Sequence, residues 1–411
     1  MRARIVTVIC SALIVACAQT STPIETPQVP ITPATAPAAD DEVILQDETA
    51  GSHVEPTLNA PATVSTIDHQ AHDSALDEID QKAAPAEVQD PTVTVIAGGD
   101  MMLGGTGTEF YRRDNYNYAF SNVRDLLTRA DVFIGNIETA LTYSDEILVE
   151  KKYRFRNPPD LVSAALARAG LDIANLANNH SLDYGYSGLD DTIISLESLG
   201  IQTIGAAYNS IAARQPAIID IQGTRIGFLA YSNTFPEEFW AGQERPGTAF
   251  GHEHHVRNDV QKLLAERADV AIVSFHWGRE GTTELRDYQV LLGRAAIDAG
   301  ASVVIGHHPH ILQAVERYGD GAIAYSLGNF TFGSYSRSAK TSALAQMSFR
   351  GNKLSRIEFI PLNVFNQEVL FAPRILTGVD AHAVINELKA LSAMRDTQLE
   401  GIGDRAVLEF D

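Results

Sequence analysis

The chain has 411 residues, 45% of them hydrophobic, enough to bury a full core in one large domain or two ordinary ones. Its formal net charge of −21 excludes a surface built for nucleic acid, which needs a basic footprint, and general adhesion to anionic lipid. Both cysteines, Cys10 and Cys17, fall at the start, so the body offers no thiolate metal ligand, no cysteine nucleophile and no disulfide.

Residues 1–17, MRARIVTVICSALIVAC, set two arginines before a short apolar stretch and small residues before a cysteine. This is the pattern of an export signal, too short to span a bilayer as a stable helix. Its end, Ile14, Val15, Ala16, Cys17, resembles the lipobox of bacterial lipoproteins, in which the cysteine is diacylated and becomes the first mature residue. The alternative is an ordinary secretory signal cleaved nearby. The lipoprotein reading accounts for a cysteine at that point, and predicts a protein anchored through Cys17 to a membrane of the bacterial envelope. Residues 18–91 hold nine of the 17 prolines and fourteen acids against Lys82 alone, which is most of the net charge. Such a composition cannot bury enough surface to fold and predicts a disordered tether, with His53, His69 and His72 as spectators.

From residue 92 strand and helix patterns alternate, and strand after strand ends in a polar group. Residues 93–97 (VTVIA) open into Gly98, Gly99 and Asp100; alone, Asp100 suits a helix cap as well as a ligand. The glycines lack the GxGxxG dinucleotide spacing. Residues 122–130 have helical spacing, and the apolar run after them passes through Gly135 and Asn136 to Glu138. In the basic group Lys151, Lys152, Arg154, Arg156 the lysines read as a solvated hairpin, while Arg156 is a candidate to grip an anionic substrate through its planar fork. Residues 160–169 predict a helix stopped by Gly170, and a strand over 171–176 runs into Asn178, Asn179 and His180. An amide oxygen there would ligate a metal and the adjacent His180 would donate a proton to a leaving group; the alternative is a hydrogen-bonded turn.

A helix over 188–200 and strands at 203–205, 217–221 and 225–231 follow. Residues 234–251, with Pro236, Trp240 and Pro246, read as a long loop over the site, and His252, His254 and His255 as the surface start of a helix over 256–266. Residues 270–275 (VAIVSF) predict a buried strand ending in His276, and 288–300 a helix. After Val303, Val304 and Ile305, three of the twelve histidines fall within four residues, His307, His308 and His310. In an extended turn, His308 and His310 would each point a ring nitrogen at one of two neighbouring ions; an isolated HxH is as readily a solvated loop. Residues 363–411, with a helix near 383–394 and an apolar run at 406–410, read as an elaboration packed on the main domain, residues 92–362, without chemistry of its own.

Alternating strands and helices imply a mainly parallel sheet with its strand carboxyl ends along one edge. Asp100, Glu138, Asn179, His276, His308 and His310 would gather there. Carboxylates, an amide and imidazoles without thiolates suit a site for two divalent ions, Mn, Fe or Zn, with Mg and Ca less suited because nitrogen ligands are numerous.

The motifs GGDMML (98–103), GNIE (135–138), NNHSLDYG (178–185), FHWG (275–278), GHHPHILQ (306–313) and SLGNF (326–330) together resemble the CapA family, the PGA_cap capsule synthesis proteins associated with poly-γ-glutamate, within the calcineurin-like metallophosphoesterase superfamily. The likeness runs over residues 93–362. It implies an α/β fold of two mixed sheets packed face to face with helices outside, an α/β/β/α sandwich, and two bound metal ions. Carried over by motif, Asp100 and His310 would bind one ion, Asn179, His276 and His308 the other, with Glu138 bridging, His180 the general acid and His307 unassigned. The chain departs from the wider pattern at Met102, where a DxH motif has histidine. Two functions follow. One is a metal-dependent hydrolase of a phosphoester or polarised acyl centre. The other is a non-catalytic accessory protein that binds or guides an anionic polymer such as poly-γ-glutamate. No GxxxxGK[ST] loop is present, so ATP-driven ligation would fall to other polymer-synthesis subunits.

Overall fold

Side-chain alternation decides which face of a sheet each strand residue covers. In the computed structural model, which describes residues 92–410, Val93, Val95 and Ala97 of the strand Thr92–Met102 join one buried cluster and Ile96 another. Val132 and Ile134 part from Phe133 in the same way, and Val270 and Ile272 from Ala271, Val273 and Phe275. The signal, Cys17 and the tether lie outside the described residues.

Two large sheets result. The first has ten strands, running Glu400–Ile402, Arg405–Glu409, Lys353–Asn363, Thr341–Arg350, Thr92–Met102, Val132–Ile137, Ile173–Asn175, Gln202–Ile204, with Asn329–Phe332 and Arg374–Ile375 paired alongside. The second has six, running Val315–Tyr318, Gly321–Ala324, Val303–His307, Val270–His276, Thr224–Ser232, Ala217–Ile221. One cluster joins them: Val95, Ile134 and Ile173 from the first sheet, Phe228, Ile272 and Ile305 from the second. Helices Pro159–Arg168 and Gly185–Glu197 bury Val162, Leu166, Leu189 and Leu196 on the outer face of the first sheet. Helices Glu253–Glu266 and Asp287–Asp298 do the same for the second through Val256, Val260 and Leu292. This is the α/β/β/α sandwich.

The single mainly parallel sheet is therefore corrected to two mixed ones. The break falls after Gln202–Ile204, because the only helix between that strand and Ala217–Ile221 is the four-residue Ser210–Ala213, too short for a crossover, and Ala217–Ile221 instead pairs antiparallel with Thr224–Ser232. Of the helix expected over 122–130, only Arg124–Leu127 forms. Beyond residue 362 the chain stays in the first sheet, where Arg405–Glu409 pairs with Lys353–Asn363 and helix Gly378–Ala393 buries Val384, Ile385 and Leu388 in the inter-sheet cluster. Among the described residues no helix is long and apolar enough to cross a membrane. Strand ends of the two sheets meet: Asn175 Nδ2 donates to Ser274 Oγ at 3.0 Å, and Asn136 Nδ2 lies 3.3 Å from His276 Nδ1.

Candidate metal centre

The side chains of the centre gather where strands of both sheets come to their ends. Asp100 lies inside Thr92–Met102, past a register shift between Ala97 and Asp100, not after the strand. Gly99 makes this possible, since a Cβ there would stand 1.9 Å from the Gly328 carbonyl oxygen. The Asp100 carboxylate accepts Asn136 Nδ2 at 2.8 Å on one oxygen and the His308 backbone N–H at 3.2 Å on the other. His310 Nδ1 lies 3.1 Å from its Oδ2 and His307 Nδ1 3.4 Å from its Oδ1.

Glu138 follows directly on Val132–Ile137 and stands in the middle. Its Oε1 is 3.7 Å from His276 Nε2, 3.7 Å from His310 Nε2 and 4.0 Å from His180 Nε2. Asn179 Oδ1 lies 3.0 Å from His276 Nε2. Donor atoms of Glu138, His308 and His310 fall within 4.8 Å of one another, and so do those of Asp100, Glu138 and His276. The six expected ligands thus converge, and Glu138 belongs to both groups. The turn holding His308 and His310 is not extended: their φ angles are +93° and +60°, a left-handed region costing of order 1–3 kcal/mol for each non-glycine residue. Asp100 on the His308 N–H and Asn329 Oδ1, 2.9 Å from His310 Nδ1, hold it.

The electrostatics are those of a site short of positive charge. Both Glu138 oxygens and His308 Nδ1 are buried with no hydrogen-bond partner. Burial, reinforced by Asp100, pushes Glu138 well above the usual carboxylate range. Burial also opposes ionisation of Asp100, but His307 and His310 outweigh it and hold that carboxyl well below its usual range. Burial drives His276 far down and His308 to about 3, so both keep a lone pair to offer. It works against a proton on His310 too, yet Glu138 and Asp100 prevail and raise His310 to about 10. Two orphaned carboxylate oxygens, a paired aspartate and neutral imidazoles are a donor set that fits divalent cations.

Beside this set, His180 Nδ1 lies 2.6 Å from Asp183 Oδ2, which leaves Nε2 toward Glu138. Burial lowers His180, with Asp183 opposing. Asn178 fixes the turn by accepting the His180 backbone N–H at 3.0 Å and donating to Asn136 Oδ1 at 3.1 Å. Lys151, expected in solvent, is instead half-buried: its Nζ donates to Asp183 Oδ1 at 2.6 Å and to the Asn179 carbonyl, and sits 5.0 Å over the Phe239 ring. Phe239 comes from the loop of residues 234–251, in the short turn Glu237–Phe239.

Arg156 is not brought to the centre. Its Nη1 donates to the Ser144 carbonyl and to Asp145 Oδ1, each at 2.6 Å, and the guanidinium lies over Tyr184. Met102 is buried, and the His252, His254, His255 rings touch one another outside both donor groups, His252 at the N-cap of Glu253–Glu266. Among residues that the motif logic passes over, Asn136 carries a signal, standing two before Glu138, and Asp183 another, three after His180. Lys151 carries none.

Residues 94–334 match the family model "Bacterial capsule synthesis protein PGA_cap". The chain belongs to this family. Every PGA_cap residue named at the centre, from Asp100 to Asn329, lies within the matched span. Among relatives, "Capsule biosynthesis protein CapA" of Bacillus anthracis is 31% identical over 320 residues, 75% of this chain and 77% of that protein. "PGA biosynthesis protein CapA" of Bacillus subtilis is 29% identical over 292 residues, 71% and 76% of the two chains. A "Probable polyglutamine synthesis accessory protein" of Mycobacterium tuberculosis is 35% identical over 280 residues, 58% of this chain and 73% of that one. Among solved structures, the NAD nucleotidase of Haemophilus influenzae aligns with a TM-score of 0.44 at 10% identity, covering 74% of this chain and 63% of that one.

Proposed function

We propose that this chain is a divalent-metal-dependent hydrolase of phosphoesterase type that serves an envelope polymer system of the poly-γ-glutamate kind. Glu138 carries the proposal: a fully buried carboxylate with both oxygens unpartnered, ringed by three imidazoles, is costly alone and reasonable around cations. Asp100 and His310 would hold one ion and Asn179, His276 and His308 the other, with Glu138 between; Mn, Fe or Zn suit the donors. Divalent ions there would bring the pKa of water toward neutrality and draw charge from a phosphoryl or acyl oxygen. The chain's own part is orientation and proton transfer. Asn136 and the His308 backbone N–H fix Asp100, and Asp183 fixes the His180 ring so that Nε2 would give its proton to the leaving group.

The purified full-length chain with Mn should hydrolyse a phosphoester, and His180→Ala should cut turnover by about 100-fold or more without changing metal content. Turnover that survives His180→Ala removes the general-acid role. The Mycobacterium tuberculosis relative, a polyglutamine synthesis accessory protein by name, favours a second reading, an accessory protein whose centre holds an anionic polymer for other subunits. A wild type that binds two metals and poly-γ-glutamate but cleaves no phosphoester or peptide bond would establish it. We also propose a lipid anchor on Cys17; metabolic labelling with a fatty-acid analogue should mark the wild type and not Cys17→Ser.

A further inference from the structure

The hydrolase chemistry leaves Lys151 without a part, and its surroundings give it one. Its Nζ donates to Asp183 Oδ1 at 2.6 Å and to the Asn179 carbonyl, stands 3.4 Å from His180 Nδ1, and has the Phe239 ring at 5.0 Å. These partners come from two segments distant in sequence, the turn of residues 178–183 and the loop of residues 234–251, and Lys151 brings a third, the stretch between Ala140–Leu141 and Arg156–Asn157. That stretch holds the turn twice more. The Phe155 N–H donates to Asp183 Oδ2 at 2.8 Å, and the Phe155 ring packs 4.4 Å from the His180 ring.

Asp183 thereby has partners on both oxygens: Lys151 on one, and His180 and the Phe155 N–H on the other. A buried carboxylate held on both oxygens from three directions keeps one arrangement, which fixes the imidazole it holds. The bond to the Asn179 carbonyl fixes the neighbouring peptide, whose side-chain oxygen faces His276. A tetrahedral ammonium can serve two oxygens and an aromatic face at once; a planar guanidinium cannot be placed there in the same way.

We propose that Lys151 is a positioning residue for His180 and Asn179, and that it makes the working geometry of the general acid conditional on two loops being seated, its own and the loop that brings Phe239. The catalytic consequence rests on the hydrolase reading; the positioning does not.

The test uses the full-length chain loaded with Mn, with wild type beside Lys151→Met, which keeps the stem and removes the ammonium, and Phe239→Leu. Lys151→Met should lower kcat by about 100-fold while KM stays within about threefold and two equivalents of metal remain, the signature of lost orientation. The nitrogen resonances of the His180 imidazole, read on the chain loaded with diamagnetic Zn instead of Mn and assigned by their absence in His180→Ala, should pass from one fixed tautomer to an exchange-averaged ring. Phe239→Leu should reproduce the spectral change with about a tenfold loss of kcat. If Lys151→Met does not fold, Lys151→Leu, which likewise removes the ammonium, takes its place. A kcat within about threefold of wild type together with unchanged His180 resonances overturns the proposal. A wild type without turnover defeats the hydrolase reading alone, because the resonances still decide whether Lys151 positions the ring.

Discussion

Glu138 and Glu316 are both buried, and their surroundings are opposite. Glu316 accepts Arg294 Nε at 3.0 Å, Arg395 Nη2 at 3.2 Å and the Tyr325 hydroxyl at 2.5 Å. Burial alone would raise it, but Arg294, Tyr325 and Arg395 prevail and hold it below the usual carboxylate range. Glu138 has imidazole nitrogens at 3.7 to 4.0 Å, no hydrogen bond, and is pushed above that range. The Glu316 cluster is complete within the protein and ties the strand Val315–Tyr318 to helix Asp287–Asp298 and to Arg395, just past Gly378–Ala393. A buried charge is therefore not in itself a sign of function. A buried charge whose own oxygens lack partners is.

Substitution by glutamine separates the two most sharply. Glu138→Gln should drop bound metal from about two equivalents to one or none and turnover by about 1,000-fold or more, read by elemental analysis and phosphoester hydrolysis. Its metal-free form should be no less stable than wild type, because a neutral amide costs less to bury than an unpaired carboxylate. Full metal content in this variant would remove Glu138 from the centre. Glu316→Gln should do the reverse, leaving metal and turnover intact while costing about 2–3 kcal/mol in denaturant unfolding. The figure sits below the usual loss for a buried pair because the Arg294 side chain is 41% exposed. An unchanged unfolding midpoint would reduce the cluster to surface ion pairing.

The asymmetry between these glutamates is only half visible in the sequence. Strand ends announce the centre, since an apolar run that stops at Glu138 or His276 must place that residue at a sheet edge. What the pattern lacks is partnership. Nothing local distinguishes Glu316 in AVERYG as saturated by arginines twenty-two residues earlier and seventy-nine later. Lys151 fails for the same reason: in KKYRFR the choice of which lysine turns inward is made by Asp183, a tertiary contact. The division into two sheets is hidden because alternation reports parallel pairing and not where pairing stops. By contrast, the hairpin Thr341–Arg350 and Lys353–Asn363 is readable, with burial alternating over residues 346–350 and 356–359 near its Gly351-Asn352 connection, but it carries no ligand and strand-end logic passes over it.

The smallest effect is the sign of the pH dependence. An unfolded glutamate titrates near 4.3, roughly. Glu316 lies below that when folded, so its stabilisation is full above the unfolded value and is lost as pH falls through the folded one; the gap between wild type and Glu316→Gln should close on acidification. Glu138 lies above it in the metal-free protein, so the folded state holds the proton more tightly and stability is lost as pH rises from the unfolded value toward the folded one. Glu138→Gln should abolish that loss, and its advantage over metal-free wild type should widen with rising pH in denaturant unfolding. Adding Mn should reverse the second trend and leave the first alone, because only ionised Glu138 would serve a cation whereas Glu316 already has its counter-charges. Slopes of the same sign for both variants would mean that the two carboxylates share one kind of environment, and the case for an incomplete centre around Glu138 would fall with that result.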